Sequence, residues 1–118
     1  MTTPATIQPT ELPAPIRDFL AAHAHRDADT AIRAFTPDAV VTDEGRTSRG
    51  TAEVLAFLRH SGSEFTYTSE LTGAQRVDDA HWVALHHLEG DFPGGVVDLA
   101  YRFTLAGDLI AELVIAPR

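Results

Sequence analysis

The second half of the chain is dominated by strand-like runs that follow one another with only tight turns between them. Alternation of apolar and polar residues begins at Phe65, and the runs HWVALHHLEG, VVDLAYRFTL and LIAELVIA follow. The turns between them, Asp78-Asp79, DFPGG and Ala106-Gly107-Asp108, have the composition of hairpin turns. Because strands joined by short turns pair antiparallel, this half predicts four consecutive antiparallel strands.

The first half predicts helices instead. Apolar residues from Ile16 to Ala24 recur at helical spacing and indicate a helix that ends near His25. A second, short helix is predicted to be capped by Asp27 or Asp29 and to be stopped by Pro37.

A short hairpin and a third helix complete the pattern. Val40 and Val41 lead from Ala39 into the turn Asp43-Glu44-Gly45. The third helix is predicted to begin at Gly50 and to end at Ser61-Gly62.

This order of elements predicts an α+β fold, a cone-shaped α+β roll. A curved, mostly antiparallel sheet would carry three helices over its concave face, and the apolar interior of such a cone can hold a small molecule. Residues 1–13, rich in Thr and Pro, are predicted to be a flexible N-terminal tail, and residues 14–118 a single domain.

Composition excludes several classes of function. The net charge of −8 argues against nucleic-acid and anionic-membrane partners, which are bound through clustered basic residues. The chain has no cysteine, and all nine basic residues are arginine, so thiolate and lysine chemistry are both excluded. The six histidines lack a metal-ligand spacing. We therefore expect a cytoplasmic protein without metal or cofactor.

Two stretches carry a family resemblance. The segments AVVTDEGRTSRGTAEVLAFLR and GDFPGGVVDLAYRFTLAGDLIAELVIAP resemble the SnoaL-like polyketide cyclase and ketosteroid isomerase-like branch of the nuclear transport factor 2-like superfamily. The resemblance extends from Pro15 to Pro117. It implies the cone fold but leaves the reaction open, since cyclases, isomerases, epoxide hydrolases and non-catalytic binding proteins share this fold. It also implies a homodimer, for which we expect an apolar patch on the convex face formed by Val83, Leu85, Val97 and Ala100.

The resemblance suggests one catalytic residue, and it indicates that two other catalytic groups of the related enzymes are missing from this chain. Asp43 matches the position of the general base in ketosteroid isomerases. Phe19 and Leu99 stand where those enzymes have the tyrosine and the protonated aspartic acid of the oxyanion hole. Because losing a single such donor costs about 10² to 10³ in rate, steroid isomerisation itself is not expected.

Strand alternation, combined with this alignment, defines the candidate site. Trp82, Ala84 and His86 should face the interior, while His87 faces away. Asp43, His86 and Tyr101 are the catalytic candidates. The candidate ligand-binding residues come from the helices and from the inward faces of the strands: Phe19, His23, Phe57, Leu58, Tyr67, Trp82, Leu99, Phe103 and Glu112.

Two functions follow from this site. In the first, we expect the protein to bind a small hydrophobic molecule and to act as a cofactor-independent isomerase or cyclase, with Asp43 as general acid/base on a carbonyl compound polarised by His86 or Tyr101. The alternative is a non-catalytic ligand-binding or dimeric scaffolding domain. In that reading Asp43 is a turn carboxylate and His86 a core histidine.

Overall fold

The computed structural model describes residues 4–60 and 65–118, and within them it confirms the α+β prediction. These ranges contain three α-helices, α1 (Ala14–Ala24), α2 (Ala28–Ala31) and α3 (Gly50–His60). The strands are β1 (Ala5–Ile7), β2 (Phe35–Asp43), β3 (Arg46–Arg49), β4 (Tyr67–Arg76), β5 (His81–Gly90), β6 (Val96–Ala106) and β7 (Leu109–Pro117). The predicted end of the third helix at Ser61-Gly62 lies outside the described residues.

One curved sheet contains all seven strands, in the order β1-β4-β5-β6-β7-β2-β3. The four long strands β4 to β7 pair antiparallel in chain order, as their tight turns predict. Strand β2 pairs parallel with β7, which joins the first half of the chain to the second. The parallel pair is the exception that makes the sheet mostly, rather than wholly, antiparallel.

The core lies between the concave face of the sheet and the helices. Ile16 and Phe19 of α1 are fully buried, as is Val54 of α3. They pack with inward side chains of the strands such as Phe103 and Leu113, which are cross-strand partners in β6 and β7. Burial of these apolar side chains is what positions α1 across the sheet.

The described part of the N-terminal segment, residues 4–13, is not the flexible tail that its Thr and Pro content predicted. Residues 5–7 form β1, which pairs antiparallel with the end of β4. Leu12 is only 2% exposed and belongs to the main core. A three-residue strand is too short to produce recognisable alternation, which explains why composition misled.

The start of β2 also differs from the prediction. The strand begins at Phe35, and Pro37, predicted to stop a helix, lies inside it. Pairing with β7 changes register between Phe35 and Val40, and a break in the ladder is where a strand tolerates proline. The predicted short helix is confirmed in α2, where the Asp27 side chain accepts a hydrogen bond from the backbone N–H of Thr30.

The residues of β5 and β6 alternate between the two faces as predicted, but the predicted position of Val97 was wrong. His86 is buried, whereas His87 lies on the other face and its Nδ1 is 2.7 Å from the Asp98 carboxylate. Val97, predicted on the convex face, pairs with Leu88 and shares the concave side with Leu99, because the register is continuous between them. None of the helices in the described ranges is long and apolar enough to span a membrane.

Candidate functional site

A cavity of about 390 Å³ lies between α1 and the concave faces of strands β4 to β6. One wall comes from the N-terminal segment and α1, and the other from the strands. The lining residues are Pro9, Leu12, Arg17, Leu20, Ala21, His23, Ala24, Arg26, Tyr67, Ser69, Leu71, His86 and Tyr101. Its volume falls within the usual range of small-molecule sites.

Helix α1 presents two adjoining stripes, one to the core and one to the cavity. Ile16 and Phe19 are buried in the core, and Leu20, His23 and Ala24 line the cavity. Residues four apart lie on one helix face, and the His23 imidazole accordingly stacks on the Phe19 ring, with 5.3 Å between centroids and 15° between planes. Phe19 thus fixes the orientation of His23 from below.

His86 and Tyr101 form the polar floor of the cavity. Tyr101 pairs directly with Ala84, so the neighbouring inward residue of β5, His86, lies diagonally across from it. Their ring centroids are 4.5 Å apart. Within the described part of the chain, neither side chain has a hydrogen-bond partner, and His86 Nδ1 is fully buried.

The buried Nδ1 indicates which tautomer His86 adopts. A buried N–H without an acceptor is rarer in proteins than a buried acceptor without a donor. We therefore assign the proton to Nε2, which is not fully buried and is the nitrogen through which His86 can reach a molecule in the cavity.

Burial keeps this group of side chains neutral near pH 7. The pKa of His86 is lowered to about 4 by desolvation and, secondarily, by His23. The pKa of His23 is lowered by desolvation and by the charge of Arg26. Desolvation raises the pKa of Tyr101, with smaller contributions from Tyr67 and Asp43. Tyr101 O–H and His86 Nε2–H are consequently two uncharged donors beside each other.

Asp43 is not among the described residues that line the cavity. It pairs with Ile115 of β7, which in turn pairs with Tyr101, so Asp43 and Tyr101 are two strands apart in one row across the concave face. Asp43 is half-buried, and desolvation followed by the charge of Glu44 raises its pKa. Glu44 and Gly45 form the turn itself, both with positive φ.

The structure brings together four of the predicted site residues, His23, Tyr67, His86 and Tyr101, around one cavity. The other candidates lie elsewhere. Five are packed in or against the core without lining the cavity, namely Phe19, Phe57, Leu58, Leu99 and Phe103. Trp82 also packs against the core, near the guanidinium of Arg76. Glu112 is exposed and pairs with Thr104, on the face opposite to its core neighbour Leu113.

Sequence reasoning missed several residues of the cavity wall, above all Arg17 and Arg26. Ser69 and Leu71 were recoverable, because they alternate with Tyr67 along β4 and must share its face. Arg26 was harder to predict, because it lies just after helix α1, where only the backbone conformation shows that its side chain lies beside the cavity. Among the described residues, no three His, Asp or Glu side chains are grouped so as to hold a metal ion.

Comparison with known proteins agrees with this architecture. The SnoaL-like domain model matches residues 16–113. A proposed polyketide cyclase from Sinorhizobium meliloti is 31% identical, with 93% of this chain and all of that chain covered, and a TM-score of 0.84.

Two more distant structures share the fold alone. A protein with a ketosteroid isomerase-like fold from Catenulispora acidiphila, in complex with trimethylamine, is 16% identical over 93% of this chain and 86% of that chain, with a TM-score of 0.75. An NTF2-like protein from Burkholderia pseudomallei is 17% identical over 88% of each chain, with a TM-score of 0.74. A comparison with curated proteins finds no match to the sequence. The match of the domain model over most of the chain shows that this protein belongs to the SnoaL-like domain family.

Proposed function

We propose that the protein binds a small, largely apolar molecule in the cavity beneath α1, with a carbonyl or phenolic oxygen directed at Tyr101 and His86. The observation that carries this proposal is the pair of neutral donors, His86 and Tyr101, which share the cavity floor and have no hydrogen-bond partner among the described residues. Buried polar groups in proteins are nearly always paired, so a ligand oxygen is the natural acceptor for both.

The remaining wall suits a flat hydrophobic body. Leu12, Leu20 and Leu71 supply apolar surface, and Tyr67 offers an aromatic face. A ligand that lacks the oxygen would bury the same surface but leave the two donors unpaired. Such a mismatch costs about 1–3 kcal/mol for each buried group, which makes the oxygen the main source of selectivity.

Calorimetric titration with naphthalene, 2-acetylnaphthalene and 2-naphthol tests the proposal, because the three probes share one ring system and differ in the oxygen-bearing substituent. We expect the two oxygenated probes to bind more tightly than naphthalene, and Tyr101→Phe to remove most of that difference. Trp82→Phe is the matched control, since Trp82 is an aromatic residue that does not line the cavity. Equal affinity for all three probes in the wild type would contradict the proposal.

Proton transfer by Asp43 is a second candidate function. It is supported by the raised pKa of Asp43 and by its place in the same cross-strand row as Tyr101. The acidic carbon of a bound ketone would have to lie between the two side chains, with Tyr101 stabilising the enolate oxygen. A general base of this kind contributes about 10² to 10⁴ in rate.

Exchange of the acetyl protons of 2-acetylnaphthalene with deuterated solvent, followed by NMR, measures this activity directly. We expect Asp43→Asn to slow protein-catalysed exchange by about 10² or more, and Glu44→Gln to have a far smaller effect. If the wild type binds the ketone without accelerating exchange, the non-catalytic binding function is the correct one.

The homodimer remains a prediction for the outer face of the sheet. Val83 and Ala100 lie there, with Leu85 and Arg102 as their neighbours across β5 and β6. Sedimentation velocity of the wild type and of Leu85→Glu tests it: a dimer that dissociates in the variant supports the prediction, and a monomeric wild type contradicts it.

A further inference from the structure

His23 is a polar side chain of the cavity to which the proposed function gives no role. It lines the cavity from α1, whereas His86 and Tyr101 line it from β5 and β6. The centroid of the His23 ring lies 6.3 Å from that of Tyr101, and the His86 ring lies 4.5 Å from the same phenol. Three polar rings, each from a different element of the fold, therefore meet around Tyr101.

The orientation of His23 leaves its nitrogens available to a ligand. One face of the imidazole is stacked on the Phe19 ring, so the edge of the ring, which carries both nitrogens, is the part that remains for polar contacts. Neither nitrogen is hydrogen-bonded to a described residue, and neither is fully buried, in contrast to His86 Nδ1. A molecule in the cavity can therefore reach the polar edge of His23.

The environment of His23 favours the neutral imidazole. Desolvation lowers its pKa, and the charge of Arg26 lowers it further. A neutral imidazole has one N–H donor and one acceptor nitrogen. A hydroxyl group both donates and accepts, so it can pair with His23 whichever nitrogen carries the proton. The partner that suits His23 is consequently a hydroxyl, whereas Tyr101 O–H and His86 Nε2–H both require an acceptor oxygen.

The two histidines are close enough to interact, since His23 contributes to the lowered pKa of His86. Both rings also contact Tyr101. An oxygen bound by His23 must then lie near the oxygen bound by Tyr101 and His86. The other hydroxyls that line the cavity, those of Tyr67 and Ser69, come from β4, and Ser69 is exposed to solvent.

We propose that the ligand of this cavity carries two oxygens on one edge of its apolar body, on adjacent or alternate carbons, and that His23 binds the second as a hydroxyl. The chemical class is a diphenol or a hydroxy ketone. This inference rests on the proposed function, because the first oxygen is the one directed at Tyr101 and His86. His23 adds selection for the number of oxygens and for their spacing.

A purely structural explanation of His23 makes a different prediction. If His23 serves only to pack on Phe19, its nitrogens do not affect which ligand binds. His23→Phe keeps an aromatic ring beside Phe19 and removes both nitrogens, so it separates the two explanations. His25→Phe, the same substitution at an exposed residue outside the cavity, is the matched control. His23→Leu repeats the test with a smaller apolar side chain.

Calorimetric titration with 2-naphthol and three dihydroxynaphthalenes tests the inference. The 2,3 and 1,3 isomers have both oxygens on one ring, and the 2,6 isomer has the same atoms with its oxygens at opposite ends. We expect the better of the 2,3 and 1,3 isomers to bind the wild type roughly tenfold more tightly than 2-naphthol, and the 2,6 isomer to bind no more tightly. His23→Phe should remove this gain and leave the affinity for 2-naphthol unchanged, whereas His25→Phe should keep the gain.

The contrary results can be told apart. If neither the 2,3 nor the 1,3 isomer exceeds 2-naphthol, or if the 2,6 isomer binds as tightly as they do, the clustered second oxygen is overturned and the proposed function stands. If the gain survives in His23→Phe and His23→Leu, or if these variants weaken all four probes by one factor, the role of His23 is overturned. If no probe binds the wild type, the proposed function itself is wrong and the inference fails with it.

Discussion

The imidazole of His86 lies against the phenol ring of Tyr101, with 4.5 Å between the ring centroids and 44° between the ring planes. Both residues are buried on the concave face of the sheet, at 8% and 6% exposure. The pair therefore combines two hydrogen-bonding groups with a low-dielectric environment, which disfavours charge on either ring. The proposed ligand binding in the cavity and the pH dependence of stability both involve this pair of residues.

Replacing His86 should make the fold less sensitive to acid. The folded-state pKa of about 4 lies below the ordinary 6.5, so between these values the unfolded chain binds the proton more readily. The free energy of unfolding consequently decreases as pH falls through this window, and His86 accounts for about 2 kcal/mol of the loss between pH 7.5 and pH 5. Urea denaturation of the wild type and of His86→Leu at the two pH values measures the difference. An unchanged pH dependence in the variant would be inconsistent with a desolvated His86.

The adjacent histidine should behave in the opposite way. Hydrogen bonds to Asp98 and then to Glu89 raise the pKa of His87. The stabilisation that it provides is present below the ordinary pKa and is lost as pH rises through the folded-state pKa. His87→Gln should therefore make the protein more acid-sensitive, where His86→Leu makes it less so. The same denaturation experiment shows both signs, and a common direction for the two variants would refute this assignment.

Removing the Tyr101 hydroxyl should affect binding and not folding. No hydrogen bond joins this hydroxyl to another described residue, so Tyr101→Phe breaks none within the described part of the fold. We expect the free energy of unfolding to change by less than about 0.5 kcal/mol. The affinity for 2-naphthol should fall roughly tenfold, the usual effect of one lost buried hydrogen bond. A large loss of stability would mean that the hydroxyl has a structural partner after all.

The close approach of β4 and β5 beside Tyr67 gives a test of the cavity wall. A Cβ at Gly90 would lie 2.5 Å from the carbonyl oxygen of Thr66 and 2.5 Å from Cβ of Tyr67. Gly90→Ala should therefore separate the strands, displace Tyr67 and lower the free energy of unfolding by about 1–3 kcal/mol. At Gly73, by contrast, a Cβ would meet only Leu85 Cδ1 at 3.5 Å, an ordinary contact.

Gly73→Ala is thus the matched control in the same strand pair. It should be neutral or stabilising, because alanine loses less backbone entropy than glycine when a strand forms. Thermal denaturation of both variants distinguishes them. Similar losses of stability at the two positions would show that the backbone contact at Gly90 is not special.

Asp43 should cost stability when it is ionised. Its pKa is raised, chiefly by desolvation, so the folded state binds the proton more tightly than the unfolded chain. The penalty is present at neutral pH and disappears as pH falls through the folded-state pKa towards the ordinary 3.8. We expect Asp43→Asn to be more stable than the wild type at pH 7. Asp108→Asn, in an exposed turn, serves as the control, and a destabilised Asp43→Asn would contradict the assignment.

The fold was predictable where the chain pairs locally. Strands β5 and β6 are long enough for alternation to fix both their bounds and their faces, and His86 and His87 were assigned correctly for that reason. Strand β2 was harder, because its parallel partner β7 lies far away in the sequence and Pro37 is accommodated by a break in register. Such a break depends on tertiary pairing, which local patterns do not contain.

The sequence predicted which face of the sheet carries the candidate site, but not which residues of that face line the cavity. Periodicity correctly placed Phe103 and Leu99 on the concave side, but it does not say how far along the cone each residue lies. Phe103 packs in the core without lining the cavity. Tyr101, two residues earlier on the same face, packs in the core and also lines the cavity. Arg26 escaped notice because its left-handed backbone is not visible in the sequence.

The most direct test of the central claim is a measurement on His86 itself. NMR of protein with ¹⁵N-labelled histidine, with His86→Leu for assignment, reports the protonation and hydrogen bonding of each ring nitrogen during titration with 2-naphthol. The account predicts a neutral His86 with its proton on Nε2 at pH 7, and a large shift of that nitrogen as the ligand binds. A charged His86, or a ligand that binds while the His86 resonances stay unchanged, would contradict it.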